Sequence, residues 1–288
     1  MNVTMKNYMP AVNEHLEKDI ELRELYAFDL NGYLVVEDAI DPDVLEALTR
    51  KVDEIEAEIG MTVSGIPSGD EKPNAKNYRR NNIIFEDPAF LAAAMSPKVL
   101  AKVANFIKYP KIKSTWLDFK AQGGGIGFHS NHTPYTPVDA YLCNNYQIHC
   151  NLVTVCYALC DIPLDGAALT VIPGSHKSNF PLPSDEEQKA FQIQVPMKKG
   201  SALIFTHDMN HGSFNELPYT RRTLFTSFST GFSANTLGDD TLYDPLFEQA
   251  ADNTWEKYFL RRPKGDRDTY PQPQHRITEE PGLGQLRK

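Results

Sequence analysis

An all-β jelly-roll core buttressed by N-terminal helices is the fold class predicted from this sequence, and three observations predict it. Up to about residue 110 the apolar residues recur every three or four positions, the period of helices with one buried face. From Lys111 onward the period falls to two, in about eight short segments separated by turn residues. At 288 residues, with 41% hydrophobic and 23% charged, the chain has the material for a substantial core. All-β and mixed barrels of this size commonly form one unit, so a single domain over 1–288 is expected. Within it, 20–110 is the helical buttress, 111–233 the jelly-roll core and 261–288 a tail lying on the surface or loosely ordered.

Each element has a local reason. Residues 20–40 suit a short helix, then a turn at Asn31-Gly32, then a strand through Tyr33, Leu34, Val35 and Val36. Asp41-Pro42 is a helix start, an N-cap residue followed by proline at the first helical position. Val44, Leu45, Leu48, Val52, Ile55 and Ile59 continue that helix until Gly60. Residues 61–82 are polar and rich in turn formers, so a long loop is expected. Asp87-Pro88 and Ser96-Pro97 begin two further helices, the second reaching about Ile107. Strands then follow at Ile112–Lys120, in a hairpin from Tyr141 to Ile148 around Asn144-Asn145, and at Leu152–Leu159. Ala168–Ile172, Gln192–Met197, Ser201–Phe205 and Arg222–Phe232 complete the set.

Bulk properties narrow the function. A formal charge of -9 argues against a nucleic-acid surface, which needs a basic face. No apolar run approaches membrane-spanning length, and Met1–Lys18 lack the pattern of a signal peptide. A cytoplasmic protein is expected, and the charge balance says nothing positive about its substrate. Cys143, Cys150, Cys156 and Cys160 form no CxxC pair and are expected as buried, reduced thiols. Gly123–Gly127 lacks the Gly-Lys-Ser/Thr ending of a phosphate loop, so close packing of backbone explains it better.

The stretch from Gly127 to Arg222 holds the candidate chemistry. His129 and Asn131 lie two apart, so on an extended segment both point to one side. His211 arrives much later in the chain, after the strand Ser201–Phe205. Two histidines from separate strands, one with an oxygen ligand two residues on, suit the open face of a non-haem iron site. Arg222 heads an apolar strand containing Leu224, Phe225 and Phe228. A guanidinium buried there needs an anion, either an internal Asp or Glu or a bound carboxylate. Arg221 is expected to point the opposite way, to solvent.

The segments Phe28–Val36, Asp165–Lys177 (Asp-Gly-Ala-Ala-Leu-Thr-Val-Ile-Pro-Gly-Ser-His-Lys) and His211–Arg222 (His-Gly-Ser-x-Asn-x6-Arg) resemble the phytanoyl-CoA dioxygenase family of iron(II)/2-oxoglutarate oxygenases. That resemblance implies a double-stranded β-helix, cupin-like fold. It also implies iron(II) held by His129 and His211, and 2-oxoglutarate with its distal carboxylate on Arg222. Ser213 and Lys120 match positions that help to hold the cosubstrate in relatives. His176 belongs to a turn typical of the family and is structural. His207 is the rival of His211, which Gly212, Ser213 and Asn215 favour, while His132 and His149 are wall or surface residues.

One departure stands out. The family's His-x-Asp is here His129-Ser130-Asn131, so a neutral amide replaces the carboxylate ligand. Asn131 or water then completes the site, or Asp118 or Asp139 supplies a carboxylate from elsewhere. Hydroxylation of an unactivated C–H bond is the leading expectation. The alternatives are a halogenase with chloride in the vacated position, as in related halogenases, and a non-catalytic binding protein.

Overall fold

The computed structural model describes residues 20–66, 75–130, 141–144, 147–164, 166, 168–178, 180, 183–235, 238–264 and 270–286. Its first helix, α1 (Leu22–Asn31), opens on a reciprocal capping box between Glu21 and Glu24. It closes on Gly32, whose φ of 84° turns the chain into β1 (Tyr33–Val36). A side chain at Gly32 would also collide with the His176 ring, 2.6 Å from the position of a Cβ. The long helix α2 (Pro42–Glu58) buries Val44, Leu48, Val52 and Ile55 along one face, as the spacing predicts. Then come β2 (Asn77–Asn81), α3 (Pro88–Ala94) and α4 (Pro97–Val103). Asp87 caps α3 by accepting from the Ala89 amide.

The strands that follow build two packed sheets. They are β3 (Pro110–Lys120), β4 (Gly124–His129), β5 (Leu142–Asn144), β6 (Gln147–His149), β7 (Leu152–Ala158) and β8 (Leu169–Val171). After the short α5 (Asp185–Gln188) come β9 (Ile193–Val195), β10 (Ala202–Thr206), β11 (His211–Asn215) and β12 (Arg221–Thr230). The major sheet has the order β1-β10-β7-β12-β3-β2 and the minor sheet β4-β11-β8-β9, with β5 and β6 forming a separate hairpin. All the pairings are antiparallel. Two helices, α6 (Asp244–Gln249) and α7 (Trp255–Leu260), complete the described elements.

The major sheet is covered on both faces. Against the helices it packs Ile112, Leu117, Val155, Leu224 and Phe228 in one cluster with Val44, Leu48, Phe90 and Leu100. Towards the minor sheet, Cys156, Leu203, Phe205 and Phe225 meet Leu169, Val171 and Met209 in a second cluster. The barrel therefore has its own interior, distinct from the core shared with the helices.

Several expectations change in detail. Residues 77–81, expected within a loop, form an edge strand paired with β3; its Asn-Tyr-Arg-Arg-Asn sequence has no apolar alternation to betray it. Helix α4 stops at Val103, and α6 and α7 were not anticipated. The tail docks: Ile277 and Leu283 are buried, and Glu280 accepts from the Trp255 amide and bonds His275. All four cysteines are free, but Cys143 is exposed rather than buried. Among the described residues no helix is long and apolar enough to cross a membrane.

Candidate metal centre

Two glycines of the sequence run let β4 pack closely, Gly125 against β11 and Gly124 against the residues leading into β2. A Cβ on Gly125 would lie 2.4 Å from the Phe214 ring, and one on Gly124 would lie 2.4 Å from the Lys76 carbonyl oxygen. With hydrogen there instead, the strands pair so that His129 stands directly opposite His211. Their ring centroids are 4.3 Å apart. The two candidate ligands, far apart in sequence, are thus cross-strand neighbours at one end of the minor sheet.

A third imidazole joins them. His207 lies in the turn that carries the chain from β10 in the major sheet to β11 in the minor one. Its ring centroid is 5.2 Å from that of His211 and 6.1 Å from that of His129. One donor atom from each of His129, His207 and His211 can be chosen so that all lie within 4.8 Å of one another.

The hydrogen bonds behind the rings decide which nitrogen faces inward. His129 Nδ1 donates to the Gly127 carbonyl at 2.9 Å, and His211 Nδ1 donates to the Met209 carbonyl at 2.7 Å. Both rings therefore keep the Nε2 lone pair for a metal. His207 Nδ1 meets Thr154 Oγ1 at 3.1 Å, and that hydroxyl is 2.8 Å from Ser227 Oγ. Burial, together with the neighbouring imidazoles, holds His211 well below the usual histidine range. Burial, His129 and Lys113 bring His207 down to about 4. Neutral imidazoles in a sheltered cluster are what a borderline divalent ion such as iron(II) binds.

The cationic end lies further along the same strand. Ser213, two residues beyond His211, is buried and accepts from Arg221 Nη2 at 2.8 Å. Arg221 is opposite Lys120 in the β12–β3 register, and both side chains are buried. Asp118 lies nearby but gives both carboxylate oxygens to Arg79, at 2.7 and 2.8 Å, and is 4.0 Å from Lys120. Burial and the Arg221 charge push Lys120 down to about 8. Two buried cations, Arg221 and Lys120, thus stand side by side here, a composition that suits an anionic ligand.

The structure reverses one expectation. Arg222 does not face the barrel interior: it bonds Asp53 at 2.6 Å and also Glu56, both on α2. Arg221, expected in solvent, is 3% exposed. Both faces of β12 are buried, so apolar residues alone do not say which is the barrel face. Leu224 packs towards the helices and Phe225 towards the minor sheet. Counting inward from Leu224 selects Arg222; counting from Phe225 selects Arg221.

The other named residues fall into place. His176 is buried in its turn, with Nε2 on the Asp29 carbonyl at 3.1 Å, and is structural. His149 sits on β6, outside the cluster. Asp118 is committed to Arg79, so it is not the substitute carboxylate. Asn131, His132 and Asp139 lie outside the described residues. Asn215 is a clamp that sequence reasoning left without a role: its Nδ2 donates to the Lys120 and Tyr219 carbonyls, and its Oδ1 accepts from the Leu217 amide.

A jelly roll with clustered imidazoles at one end of a sheet and buried cations behind them suits a non-haem metal enzyme. The sequence model of the phytanoyl-CoA dioxygenase (PhyH) family matches residues 28–222, and the chain belongs to that family. A phytanoyl-CoA dioxygenase of Arabidopsis thaliana is 26% identical, the match covering 67% of this chain and 83% of the relative. An ectoine dioxygenase of Nocardia farcinica is 22% identical, covering 82% and 85%. Among solved structures, HygX from Streptomyces hygroscopicus with nickel, 2-oxoglutarate and hygromycin B bound has the same fold. Its TM-score is 0.61 at 17% identity, over 74% of this chain and 88% of that one. The epimerase SnoN from nogalamycin biosynthesis superposes with a TM-score of 0.55 at 15% identity, over 86% and 95%.

Proposed function

We propose that this protein is an iron(II)- and 2-oxoglutarate-dependent oxygenase that hydroxylates an unactivated C–H bond of a small molecule. The observation that carries the proposal is the layout of one strand: His211 in the imidazole cluster, then Ser213 joined to the buried Arg221–Lys120 pair. The two positions are about 7 Å apart along β11, a span suited to a five-carbon dicarboxylate with one end on a metal and the other on a cation. Bound together, the metal and cosubstrate supply the chemistry: dioxygen is consumed, 2-oxoglutarate leaves as succinate and carbon dioxide, and one oxygen atom enters the substrate.

The chain's own residues do the holding. His129 and His211 present Nε2 to the metal, their rings fixed by the Gly127 and Met209 carbonyls. Arg221, Lys120 and Ser213 take the distal carboxylate, the planar guanidinium suiting its two oxygens. Trp116 and Phe225, stacked with centroids 4.9 Å apart, wall the barrel interior beside this track. That shielding lowers the local dielectric and strengthens each charge contact. Relatives named for phytanoyl-CoA and ectoine, and neighbours solved with hygromycin B or nogalamycin RO, support a small molecule as substrate without narrowing its class.

The test is anaerobic loading with iron(II) and 2-oxoglutarate, followed by oxygen. Succinate formation that requires both, and is lost in His129→Ala and His211→Ala, supports the reading. Iron binding unaltered in both variants sinks it.

A further inference from the structure

We infer that His207 is the third protein ligand of the metal, so that His129, His207 and His211 hold the iron through three imidazoles. This rests on the metal centre proposed above and adds to it a residue outside the family's His-x-Asp…His pattern. Three observations carry it. The donor atoms of His129, His207 and His211 lie within 4.8 Å of one another, a spacing that small side-chain rotations close on to a common ion. The group arrives from two neighbouring strands of the minor sheet and a turn, His129 on β4, His211 on β11 and His207 between β10 and β11, so the three converge from separate segments rather than along one strand. Each Nδ1 is also engaged away from the cluster, on Gly127, Met209 and Thr154 respectively.

The support behind His207 resembles that of a ligand more than that of a packing residue. His207 Nδ1 is within hydrogen-bond distance of Thr154 Oγ1, which is in turn bonded to Ser227 Oγ, and when Nδ1–H is the donor the ring keeps its Nε2 lone pair for a metal. A hydroxyl pair on two central strands of the major sheet thus holds the ring's orientation and admits the metal-binding tautomer, a usual task of the groups behind a metal-bound histidine. Among the described residues no carboxylate lies in the cluster, and Asp118 is held by Arg79. Three imidazoles on one face leave three positions of an octahedral ion for the cosubstrate and dioxygen. No protein position is then vacated for chloride, which separates this centre from the halogenase arrangement.

The experiment counts imidazoles and measures iron affinity, both without turnover. X-ray absorption on the anaerobic iron(II) protein is expected to show three imidazoles in the wild type and two in His207→Ala, with added imidazole restoring the third. His207→Ala should weaken iron(II), measured by competition with a chromophoric chelator, by at least about tenfold, and Thr154→Val by a smaller factor. Two imidazoles in the wild type overturn the inference whether or not any variant folds. So does loss of iron in Asn131→Ala alongside retention in His207→Ala. Those results leave the His129–His211 centre standing; that centre fails only if His129→Ala and His211→Ala bind iron as the wild type does.

Discussion

Two adjacent arginines on β12 have opposite fates. Arg221 points between the sheets, joins Ser213 and shares a buried space with Lys120. Arg222 points to the helical layer and spans Asp53 and Glu56 on the flank of α2. The difference is one step in strand parity, and it separates a cation facing the barrel interior from one bonded to two carboxylates of α2. Arg222 has two carboxylates and partial exposure, and it fastens layer to layer. Arg221 is nearly sealed, and the nearby carboxylate serves Arg79 instead. Buried cations beside a candidate metal centre mark a place that suits an anionic ligand.

The sharpest way to break this comparison is to neutralise each arginine in turn. Arg221→Met is expected to weaken 2-oxoglutarate binding on the order of a hundredfold or more, the usual cost of removing one partner from a buried, hydrogen-bonded charge pair. Calorimetry with the iron-loaded protein under anaerobic conditions measures it. Equal losses in Arg221→Met and Arg222→Met would erase the distinction.

Next in size is the clamp that places both cations. Asn215 is fully buried and bonds the Lys120 carbonyl, the Tyr219 carbonyl and the Leu217 amide. Asn215→Ala leaves buried backbone groups without partners and is expected to cost about 3 kcal/mol of unfolding free energy. Denaturant unfolding with an unchanged slope would check it. Because the residue ties β11 to the end of β3, weaker cosubstrate binding should accompany the loss, in the direction of Arg221→Met.

The site was legible in sequence where chemistry and local pattern agreed. Asp41-Pro42 and Asp87-Pro88 mark helix starts because a cap and a fixed φ act within a few residues. His129 and His211 stand out because the His-Gly-Ser-x-Asn run and the glycine-rich approach to His129 are both local signatures. Arg222 was chosen over Arg221 because both faces of β12 are covered, and apolar periodicity does not distinguish a helix-facing side from a barrel-facing one. His207 was set aside as a rival of His211, although the structure brings both into one cluster. The available signal was their position on either side of a short turn after a fully apolar strand, which returns the chain to the same rim. β2 gave no signal, being a polar edge strand.

A third measurement sharpens the cationic end by pH. Lys120 sits at about 8, against 10.5 for the free side chain, mainly through burial and then through Arg221. Its neutral form is favoured by folding, so between pH 8 and 10.5 the unfolded chain holds a proton that the folded protein has lost. Stability of the cosubstrate-free protein should therefore rise with pH across that window on this residue's account, by up to about 1.4 kcal/mol per unit. Binding of 2-oxoglutarate needs the ammonium, so affinity should fall over the same range, by up to about tenfold per unit. Lys120→Met should flatten both trends and lower affinity at neutral pH. Parallel rather than opposed trends would show that Lys120 does not face the cosubstrate.

The smallest expected effect belongs to Arg222, and its smallness is the informative part. The guanidinium is partly exposed and its Asp53 partner more so, so solvent screens the pair. Glu56 is better sheltered and contributes the larger share. Arg222→Met keeps the aliphatic stem that packs over the sheet and removes only the charge. We expect a loss of about 1 kcal/mol or less, a shift of about 2–4 °C in thermal midpoint for a chain of this size. Raised salt should shrink the gap between variant and wild type, because the wild type has the exposed pair to lose. Iron affinity and 2-oxoglutarate affinity should both stay at wild-type values. A tenfold fall in cosubstrate affinity, with stability unchanged, would mean that Arg222 turns inward when the ligand binds and would return to it the role now given to Arg221.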